Sequence, residues 1–405
     1  MKYIIIVGDG MADYPVKELG GKTPLQRARK PAVDSLARKG EMGMVRTVPV
    51  GMAPGSDTAN LSVIGYDPQK YYTGRSPFEA AGMGVRLQPG DVSFRCNLVT
   101  LSSEAAYAGR TMLDYCAGEI PTAEGGELIE ALRARLKTAG INFYAGISYR
   151  HLMVWTGGPK PAECRLTPPH DISGRKIEPY LPAGGGAALL RDLMEQSAAV
   201  LPRHPVNRRR LAGGLKPANS IWLWGEGTAP RLPLFREKYG LQGSVISAVD
   251  LLKGIALYAG LKPIEVAGAT GDIHTDYGAK TRAALHALRE GDDFVYLHIE
   301  APDECAHRFE IENKVRAIEL IDEKVVAPLL AGLEQTSEPF SILFLPDHAT
   351  PLALRTHTAD PVPFLIYRNR DVKTHPPRPY DEETAAAAGL YIDEGCKLMD
   401  YFLDY

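Results

Sequence analysis

The chain has 405 residues, of which 45% are hydrophobic and 23% are charged, and its formal net charge at pH 7 is −3. This composition can supply a core for two domains, and it lacks the basic excess typical of nucleic-acid binding. The five cysteines are scattered without C-x-x-C spacing, and no segment approaches the roughly 20 apolar residues of a membrane span. We therefore expect a cytoplasmic protein that binds neither nucleic acid nor membranes.

Short apolar runs alternate with amphipathic segments along the chain, which predicts an α/β fold. Near the start, we expect a strand, a helix and a second strand, and near the end a strand, a helix and two further strands. Both ends of the chain should therefore contribute to one sheet. The predicted elements are Tyr3–Val7, Pro24–Lys39, Met44–Val48, Phe294–Ile299, Asn313–Leu330, Phe340–Leu345 and Val362–Tyr367.

One of these helices carries an apolar stripe whose members lie three to four residues apart, and we expect it to pack on the sheet. The stripe consists of Val315, Ile318, Ile321, Val325 and Leu329.

The middle of the chain has strand and helix signals of its own, at Arg150–Trp155, Leu189–Leu201 and Ser220–Trp224. Glycines and prolines separate them. We predict an inserted α/β or α+β domain over residues 96–240, with residues 1–95 and 241–405 forming a discontinuous second domain.

Carboxylates and histidines follow the predicted strands at both ends of the chain. Asp9 ends the first strand, Asp347 and His348 follow another, and Asp303 and His307 have the four-residue offset of one helical face. Any one of them alone is also typical of a turn residue or an ordinary core or surface histidine. Together they predict a site for two divalent metals. The candidate ligands are Asp9, Ser56, Asp303, His307, Asp347, His348 and His357.

Ser56 follows Pro54 and Gly55 and precedes a helical segment at Thr58–Ile64. A serine there is more often a helix cap than a nucleophile. The start of a helix also offers backbone N–H groups to an anion, so a phosphate could be held where Ser56 can attack it. These residues therefore favour metal-dependent phosphoryl transfer.

The chain resembles the archaeal-type cofactor-independent phosphoglycerate mutases of the alkaline phosphatase superfamily, and the resemblance covers nearly its whole length. The segments that carry it are Gly8-Asp9-Gly10, Pro54-Gly55-Ser56-Asp57-Thr58-Ala59, Tyr71-Tyr72-Thr73-Gly74-Arg75, Phe94-Arg95-Cys96-Asn97, Thr167-Pro168-Pro169-His170 and the C-terminal ligand motifs.

The resemblance implies an alkaline-phosphatase-like catalytic core, with a largely parallel sheet flanked by helices, and an inserted domain that caps the substrate. It implies Ser56 as the phosphorylated nucleophile. Asp9, Ser56, Asp347 and His348 would hold one metal ion, and Asp303, His307 and His357 the other. Mn²⁺ is favoured, with Mg²⁺, Zn²⁺ and Co²⁺ as alternatives.

Under the same resemblance, Arg150, His170 and Lys280 would bind the phosphate of a small phosphorylated metabolite. The reaction would be the glycolytic interconversion of 3-phosphoglycerate and 2-phosphoglycerate, an isomerisation. A homo-oligomer is left open.

Two departures from the archaeal pattern favour a different substrate. Asp114-Tyr115-Cys116-Ala117-Gly118-Glu119 and Trp224 stand where arginines are expected, and arginine forks usually bind carboxylate and phosphate. The chain also resembles a bacterial subgroup proposed to act as homoserine kinases, which would make O-phosphohomoserine for threonine biosynthesis. A phosphatase and a non-enzymatic metal or phosphate sensor are further alternatives.

Overall fold

The structure is a computed structural model that describes residues 1–403. The strands in chain order are β1 (Lys2–Gly8), β2 (Glu41–Val45), β3 (Asp91–Leu101), β4 (Met112–Asp114), β5 (Ile141–Tyr144), β6 (Arg150–Thr156), β7 (Cys164–Arg165), β8 (Ala183–Gly184), β9 (Ser220–Gly227), β10 (Gly243–Ile246), β11 (Lys262–Ile264), β12 (Phe294–Ile299), β13 (Phe340–Leu345), β14 (Val362–Arg368) and β15 (Tyr391–Ile392).

The α-helices in chain order are α1 (Pro24–Arg27), α2 (Pro31–Lys39), α3 (Ser56–Val63), α4 (Pro68–Tyr71), α5 (Ser76–Gly82), α6 (Thr122–Arg135), α7 (Ala187–Val200), α8 (Pro205–Ala212), α9 (Phe235–Tyr239), α10 (Asp250–Tyr258), α11 (Tyr277–Arg289), α12 (Ala301–His307), α13 (Ile311–Ile321), α14 (Ala327–Glu334), α15 (Glu382–Ala387) and α16 (Lys397–Leu403).

The chain forms two compact units. One contains residues 1–72 and the chain from Arg231 onward, and the other contains residues 73–230. The second unit therefore begins and ends earlier in the chain than the predicted inserted domain of residues 96–240. Residue 95 falls inside β3, whose ladders with β6 and β9 keep that strand in the second unit. Phe235 stacks on Phe294 of β12 at 4.7 Å between ring centroids, so α9 belongs to the first unit.

The first unit is built on an eight-stranded sheet in the order β11-β10-β12-β1-β13-β14-β2-β15. The strands from β11 to β13 are parallel to their neighbours, whereas β14 runs antiparallel to both β13 and β2. The predicted α/β fold with a largely parallel sheet, drawn from both ends of the chain, is therefore confirmed. At the centre, Val7 of β1 lies opposite His298 on one side and Leu345 on the other. The carboxyl ends of three parallel strands consequently meet at one edge.

Two predicted helices are interrupted. The segment Pro24–Lys39 forms α1 and α2. α1 ends at Arg27, since Ala28 is extended with φ −66° and ψ 138°, and α2 begins at Pro31, which disfavours a helical conformation at the preceding Lys30 (φ −135°, ψ 64°). The segment Asn313–Leu330 forms α13 and α14, joined by a π-helical turn at Asp322–Val326. The Asp322 carboxylate at this turn accepts hydrogen bonds from the first N–H groups of α2.

The predicted apolar stripe on α13, the π turn and α14 is buried, and it packs in the core of the first unit. Its three-to-four-residue spacing is maintained through the turn. The prediction of a sheet-packing face is therefore confirmed.

The second unit has its own sheet and its own core. β3 pairs antiparallel with β4, β6 and β9, and β5 extends the sheet beyond β6. The elements predicted in this region are observed as β6, α7 and β9. Apolar side chains of these elements and of α6 form a core cluster separate from that of the first unit. Within residues 1–403, no helix is both long and apolar enough to cross a bilayer.

The second unit should lose stability in acid through His151. This histidine on β6 is 3% exposed and accepts a hydrogen bond from the Gly146 N–H at 3.0 Å. Burial lowers the pKa of His151 to about 3, so below its unfolded value of about 6.5 only the unfolded chain holds the extra proton. Stability from this group is therefore complete above pH 6.5 and decreases as the pH falls, by about 2 kcal/mol at pH 5.

The His151→Gln variant lacks this titration, so the stability difference between wild type and variant should shrink by about that amount between pH 7 and pH 5. Urea unfolding followed by tryptophan fluorescence measures it, because Trp155, Trp222 and Trp224 all lie in the second unit. An unchanged difference at the two pH values would contradict the prediction.

Candidate metal centre

Asp9, Asp347 and the start of α12 meet where β1, β13 and β12 end. The Asp9 N–H donates to Ile299 O at 2.9 Å, and the Gly10 N–H donates to Asp347 Oδ1 at 3.3 Å. Gly10 has a φ of +62°, and a Cβ atom there would lie 2.6 Å from Thr350 Oγ1 and 2.7 Å from Asp303 Oδ1. A side chain at position 10 would therefore occupy the space where the acidic groups converge.

The first group of predicted ligands surrounds His348. Its Nε2 atom lies 3.5 Å from Asp9 Oδ1, 3.5 Å from Asp347 Oδ2 and 3.2 Å from Ser56 Oγ. Asp9, Asp347 and His348 are buried. One imidazole nitrogen and three oxygens of the predicted set thus face a common point.

The second group contains Asp303, His307 and His357. His307 Nε2 lies 3.1 Å from Asp303 Oδ2 and 3.0 Å from His357 Nε2, while His357 Nε2 lies 3.5 Å from Asp303 Oδ1. Asp303 and His307 are one turn apart on α12, as their spacing predicts. The His307 Nδ1 atom lies 2.9 Å from Arg355 O, which orients the ring so that Nε2 points into the group.

Thr350 connects the two groups. Its hydroxyl donates to Asp303 Oδ1 at 2.6 Å and lies 3.1 Å from His348 Nδ1. The rings of His348 and His357 are 4.2 Å apart between centroids. The structure therefore brings all seven predicted ligands into one cluster.

The charges of this cluster fit divalent cations. Burial, reinforced by the charges of Asp347 and Asp303, raises the pKa of Asp9 well above its usual value. The Oδ1 atom of Asp9 is buried and has no hydrogen-bond partner within the described residues. Three buried carboxylates and three imidazoles are a donor set that suits such cations, and a bound cation would stabilise the charged form of Asp9.

Two histidines of the cluster differ in their preferred charge. Burial lowers the pKa of His348 to about 4, which keeps its ring neutral and able to act as a ligand. Burial also disfavours the charged form of His307, but the Asp303 carboxylate outweighs it and raises the pKa of His307 to about 9. A proton held between Asp303 and His307 would have to leave before a cation could bind there, so cation binding should release protons.

Donor atoms within 4.8 Å of one another define two candidate triads, one of Asp9, His298 and Asp347 and the other of Asp303, His348 and His357. The predicted division instead assigns His348 to the ion held by Asp9. His348 Nε2 lies 3.5 Å from both Asp9 Oδ1 and Asp347 Oδ2, which favours the predicted division. The assignment of His348 to one ion stays a prediction.

Ser56 is the first residue of α3, after Gly55 as the N-cap. Asn60, one turn later, holds it in register with the ligands, because its side-chain nitrogen donates to Ser56 O at 2.7 Å and to Asp347 Oδ2 at 2.6 Å. Tyr296 of β12 in turn donates its hydroxyl to the Asn60 side-chain oxygen. The serine hydroxyl is therefore fixed at the entrance of the helix and beside the cluster.

Sequence reasoning missed His298, which lies beside Asp9, and Glu300, which lies on the other side of the His298 ring. His298 belongs to β12, and the segment Phe294–Ile299 reads as a buried apolar strand. The signal was a histidine inside that strand, since a fully buried imidazole needs a polar partner. Asn60 was missed because a polar residue within a helix has many ordinary explanations.

The predicted substrate ligands lie apart from one another. Arg150 and His170 belong to the second unit, where Arg150 lies over the Tyr149 ring at 4.7 Å and His170 contacts the Trp224 ring edge-on at 5.3 Å. Lys280 belongs to the first unit. Its side chain is fully buried, and Nζ donates to Glu300 Oε2 at 2.6 Å. A buried, paired ammonium does not support the predicted contact between Lys280 and a substrate.

A parallel sheet with a buried cluster of carboxylates and imidazoles beyond its strand ends is the architecture of a metal-dependent enzyme. A family model described as 2,3-bisphosphoglycerate-independent phosphoglycerate mutase matches residues 37–207. The probable enzyme of that name from Geobacter sulfurreducens is 54% identical over 100% of both chains, and the one from Methanosarcina mazei is 52% identical over 98% of both.

Two solved structures are similar over the whole chain. A Pyrococcus horikoshii protein has a TM-score of 0.82 at 29% identity and is matched over 96% of its own length. The cofactor-independent phosphoglycerate mutase from Thermoplasma acidophilum has a TM-score of 0.64 at 27% identity and is matched over 99% of its length. The chain belongs to the 2,3-bisphosphoglycerate-independent phosphoglycerate mutase family, as its motifs predict. These comparisons do not support the homoserine kinase alternative.

Removing one ligand from each group should remove one bound ion each. His307→Ala and Asp347→Ala should each lower the number of Mn²⁺ ions retained per chain by one, measured by equilibrium dialysis and elemental analysis, while circular dichroism stays that of the wild type. The control is His286→Ala, at an exposed histidine outside the cluster. Wild-type metal content in both ligand variants would refute the assignment.

Proposed function

We infer that this protein interconverts 3-phosphoglycerate and 2-phosphoglycerate without 2,3-bisphosphoglycerate, through a phosphoserine at Ser56. The observation that carries this proposal is the serine hydroxyl, 3.2 Å from His348 Nε2, at the start of a helix and beside a buried cluster of metal-ligand type. The names of the relatives at 50–54% identity support the same reaction.

Two divalent cations are required by the proposal. Asp9, Ser56, Asp347 and His348 would hold one, and Asp303, His307 and His357 would hold the other. When bound, such ions lower the pKa of a coordinated hydroxyl and offset the charge on phosphoryl oxygens. Mn²⁺ is the favoured ion because the family resemblance implies it, and the carboxylate and imidazole donors fit divalent cations without selecting one. Mg²⁺, Zn²⁺ and Co²⁺ remain the alternatives.

Ser56 performs the transfer in two halves. Its Oγ atom loses its proton and attacks the phosphorus of the substrate, and the phosphorus–oxygen bond to the glycerate breaks as the bond to Ser56 forms, so that the freed glycerate oxygen takes up a proton. The other glycerate hydroxyl then attacks the phosphoserine, which regenerates the serine. Asn60 keeps Oγ aligned during both halves by bridging Ser56 O and the Asp347 carboxylate. The N–H groups and dipole at the start of α3 favour the transferred anion at this place.

A mutase must prevent water from taking the phosphoryl group during the exchange. We assign that role to the second unit, residues 73–230, as a substrate-capping domain. Its arginines support the assignment, because two guanidinium groups pair with one carboxylate and a third is near enough to affect its charge. Arg75 and Arg95 each pair with Glu79 at 2.8 Å, and the positive charges of Arg95, Arg75 and Arg150 overcome burial to lower the pKa of Glu79.

Trp224 stands where an arginine is expected, and a neighbouring arginine of this unit partly compensates for the missing positive charge. The Arg95 guanidinium lies over the Trp224 ring at 4.2 Å, and the indole N–H donates to Asn97 Oδ1 at 2.9 Å. The tryptophan therefore supports a neighbouring guanidinium. The substrate we propose is a small phosphorylated metabolite. We place the protein in the cytoplasm, because its five cysteines are all unpaired and would stay reduced there.

Ser56→Ala should still bind metal through the aspartates and histidines of the cluster but form no phosphoserine and catalyse no exchange. ³¹P NMR of the Mn²⁺-loaded protein with 3-phosphoglycerate should show 2-phosphoglycerate only with the wild type. The matched control is Ser62→Ala in the same helix, since the Ser62 hydroxyl is buried and has no hydrogen-bond partner among the described residues.

The same measurement with ATP and homoserine tests the alternative substrate. O-phosphohomoserine without any 2-phosphoglycerate in the first sample would contradict the mutase proposal. Phosphate alone would indicate a phosphatase, and an unmodified Ser56 with every donor would indicate a sensor.

Arg150→Ala should raise the KM for 3-phosphoglycerate by about tenfold to a hundredfold, because a charge-assisted hydrogen bond contributes about 1.5–3 kcal/mol. An enolase-coupled assay measures this change. Arg133→Ala is the control, since Arg133 pairs with Glu130 on the exposed face of α6 in the same unit. An unchanged KM in Arg150→Ala would show that this arginine does not contact substrate.

A further inference from the structure

A line of four ionisable side chains runs through the core of the first unit and ends at Asp9. Lys280 Nζ lies 2.6 Å from Glu300 Oε2, Glu300 Oε1 lies 3.4 Å from His298 Nδ1, and His298 Nε2 lies 3.3 Å from Asp9 Oδ2. All four residues are at most 5% exposed. The proposed transfer reaction does not use Lys280, Glu300 or His298.

Glu300 is the anchor of this line. Besides Lys280, its carboxylate accepts hydrogen bonds from Ser247 Oγ at 2.8 Å and from the Ala248 N–H at 2.7 Å. Lys280 is held equally firmly, because Nζ also donates to His298 O at 3.1 Å. The glutamate therefore has one orientation, and it presents Oε1 to the imidazole.

Stability alone gives a weak reason for such a line. Burying charged groups carries a desolvation cost that their mutual attraction roughly balances, and apolar side chains of the same volume often serve a core as well. A buried ionic arrangement is better explained when it fixes the orientation of something else. Here the group at the end of the line is a predicted metal ligand.

The two oxygens of Asp9 have different surroundings. Oδ2 faces His298, whereas Oδ1 faces His348 Nε2 at 3.5 Å and has no hydrogen-bond partner in the described part of the chain. The contact of Oδ2 with His298 Nε2 at 3.3 Å is electrostatic, since neither ring nitrogen of His298 makes a hydrogen bond among the described residues, and it leaves Oδ1 directed at the cluster. Carboxylates and imidazoles behind a ligand commonly fix its orientation in this way, and their loss weakens metal binding.

We propose that His298, Glu300 and Lys280 are positioning residues that hold Asp9 Oδ2 so that Oδ1 points at the metal centre. This inference rests on the proposed function, in which Asp9 is a metal ligand. It also gives Lys280 a place in the site that acts through Glu300 and His298, without contact to substrate.

The test is Glu300→Gln, which keeps the size of the side chain and removes its charge at a residue that is not a predicted ligand. Mn²⁺ titration by calorimetry should show one of the two ions bound about tenfold to a hundredfold more weakly, and the other ion bound as in the wild type. Asp322→Asn is the matched control, a buried carboxylate outside the cluster that accepts hydrogen bonds from the first N–H groups of α2, and it should leave both affinities unchanged.

Ser247→Ala is a milder variant that keeps the test decisive should Glu300→Gln fail to fold. It removes one hydrogen bond to Glu300 and should weaken the same ion by a smaller factor. Wild-type affinity for both ions in Glu300→Gln, or in Ser247→Ala when Glu300→Gln is unfolded, would overturn the proposal.

Variants of His298 separate positioning from direct ligation, since His298 Nε2 also lies near Asp347. In His298→Gln the amide can donate to Asp9, so both ions should bind, and more tightly than in His298→Ala. Equal loss of one ion in both variants would make His298 a ligand and overturn the proposal. These titrations need no turnover. If the wild type binds two ions but forms no phosphoserine, the proposed function is contradicted. The positioning role is then judged by the metal affinities of Glu300→Gln alone.

Discussion

The constraint on which this structure depends is the burial of three aspartates at one edge of a parallel sheet. Asp9, Asp303 and Asp347 are each less than 9% exposed, and their negative charges repel one another where little water can screen them. Burial, followed by the charges of Asp347 and Asp303, raises the pKa of Asp9, whereas neighbouring histidines outweigh burial and lower the pKa of Asp303 and of Asp347. Divalent cations would relieve the repulsion. The family to which the chain belongs and the chemistry of the cluster thus imply the same ions.

The sheet topology explains why ligands from distant parts of the chain converge. β1 lies between β12 and β13, and all three run in the same direction, so residues after each strand arrive at one edge. This is why Asp9 and Asp347 could be predicted together from the sequence. The spacing of Asp303 and His307 predicts a helical turn, and α12 provides it.

Other parts could not be predicted, for physical reasons. His298 lies in an apolar strand, and only the fold shows that it stands between Asp9 and Glu300. Lys280 is twenty residues from its partner Glu300, so a local pattern cannot reveal that this cation is buried and paired. The limits of the second unit depend on β3, whose partners β6 and β9 come much later in the chain. The break between α1 and α2 was missed, although Pro31 in the middle of the predicted helix was a signal for it.

The two departures from the archaeal motifs acquire a structural context in the second unit. Asp114 pairs with Lys216 and accepts a hydrogen bond from the Cys116 N–H, so this segment is occupied by local contacts. Trp224 lies beneath the Arg95 guanidinium. An altered motif therefore coexists with arginines paired to Glu79, and the proposed substrate recognition would use those arginines in place of the ones that the motif lacks.

Anomalous diffraction from crystals soaked in Mn²⁺ tests the central claim most directly. The account predicts two anomalous peaks in the cluster, one beside Asp9, Asp347 and His348 and the other beside Asp303, His307 and His357. A cluster without a peak, or with manganese only elsewhere on the molecule, would contradict it.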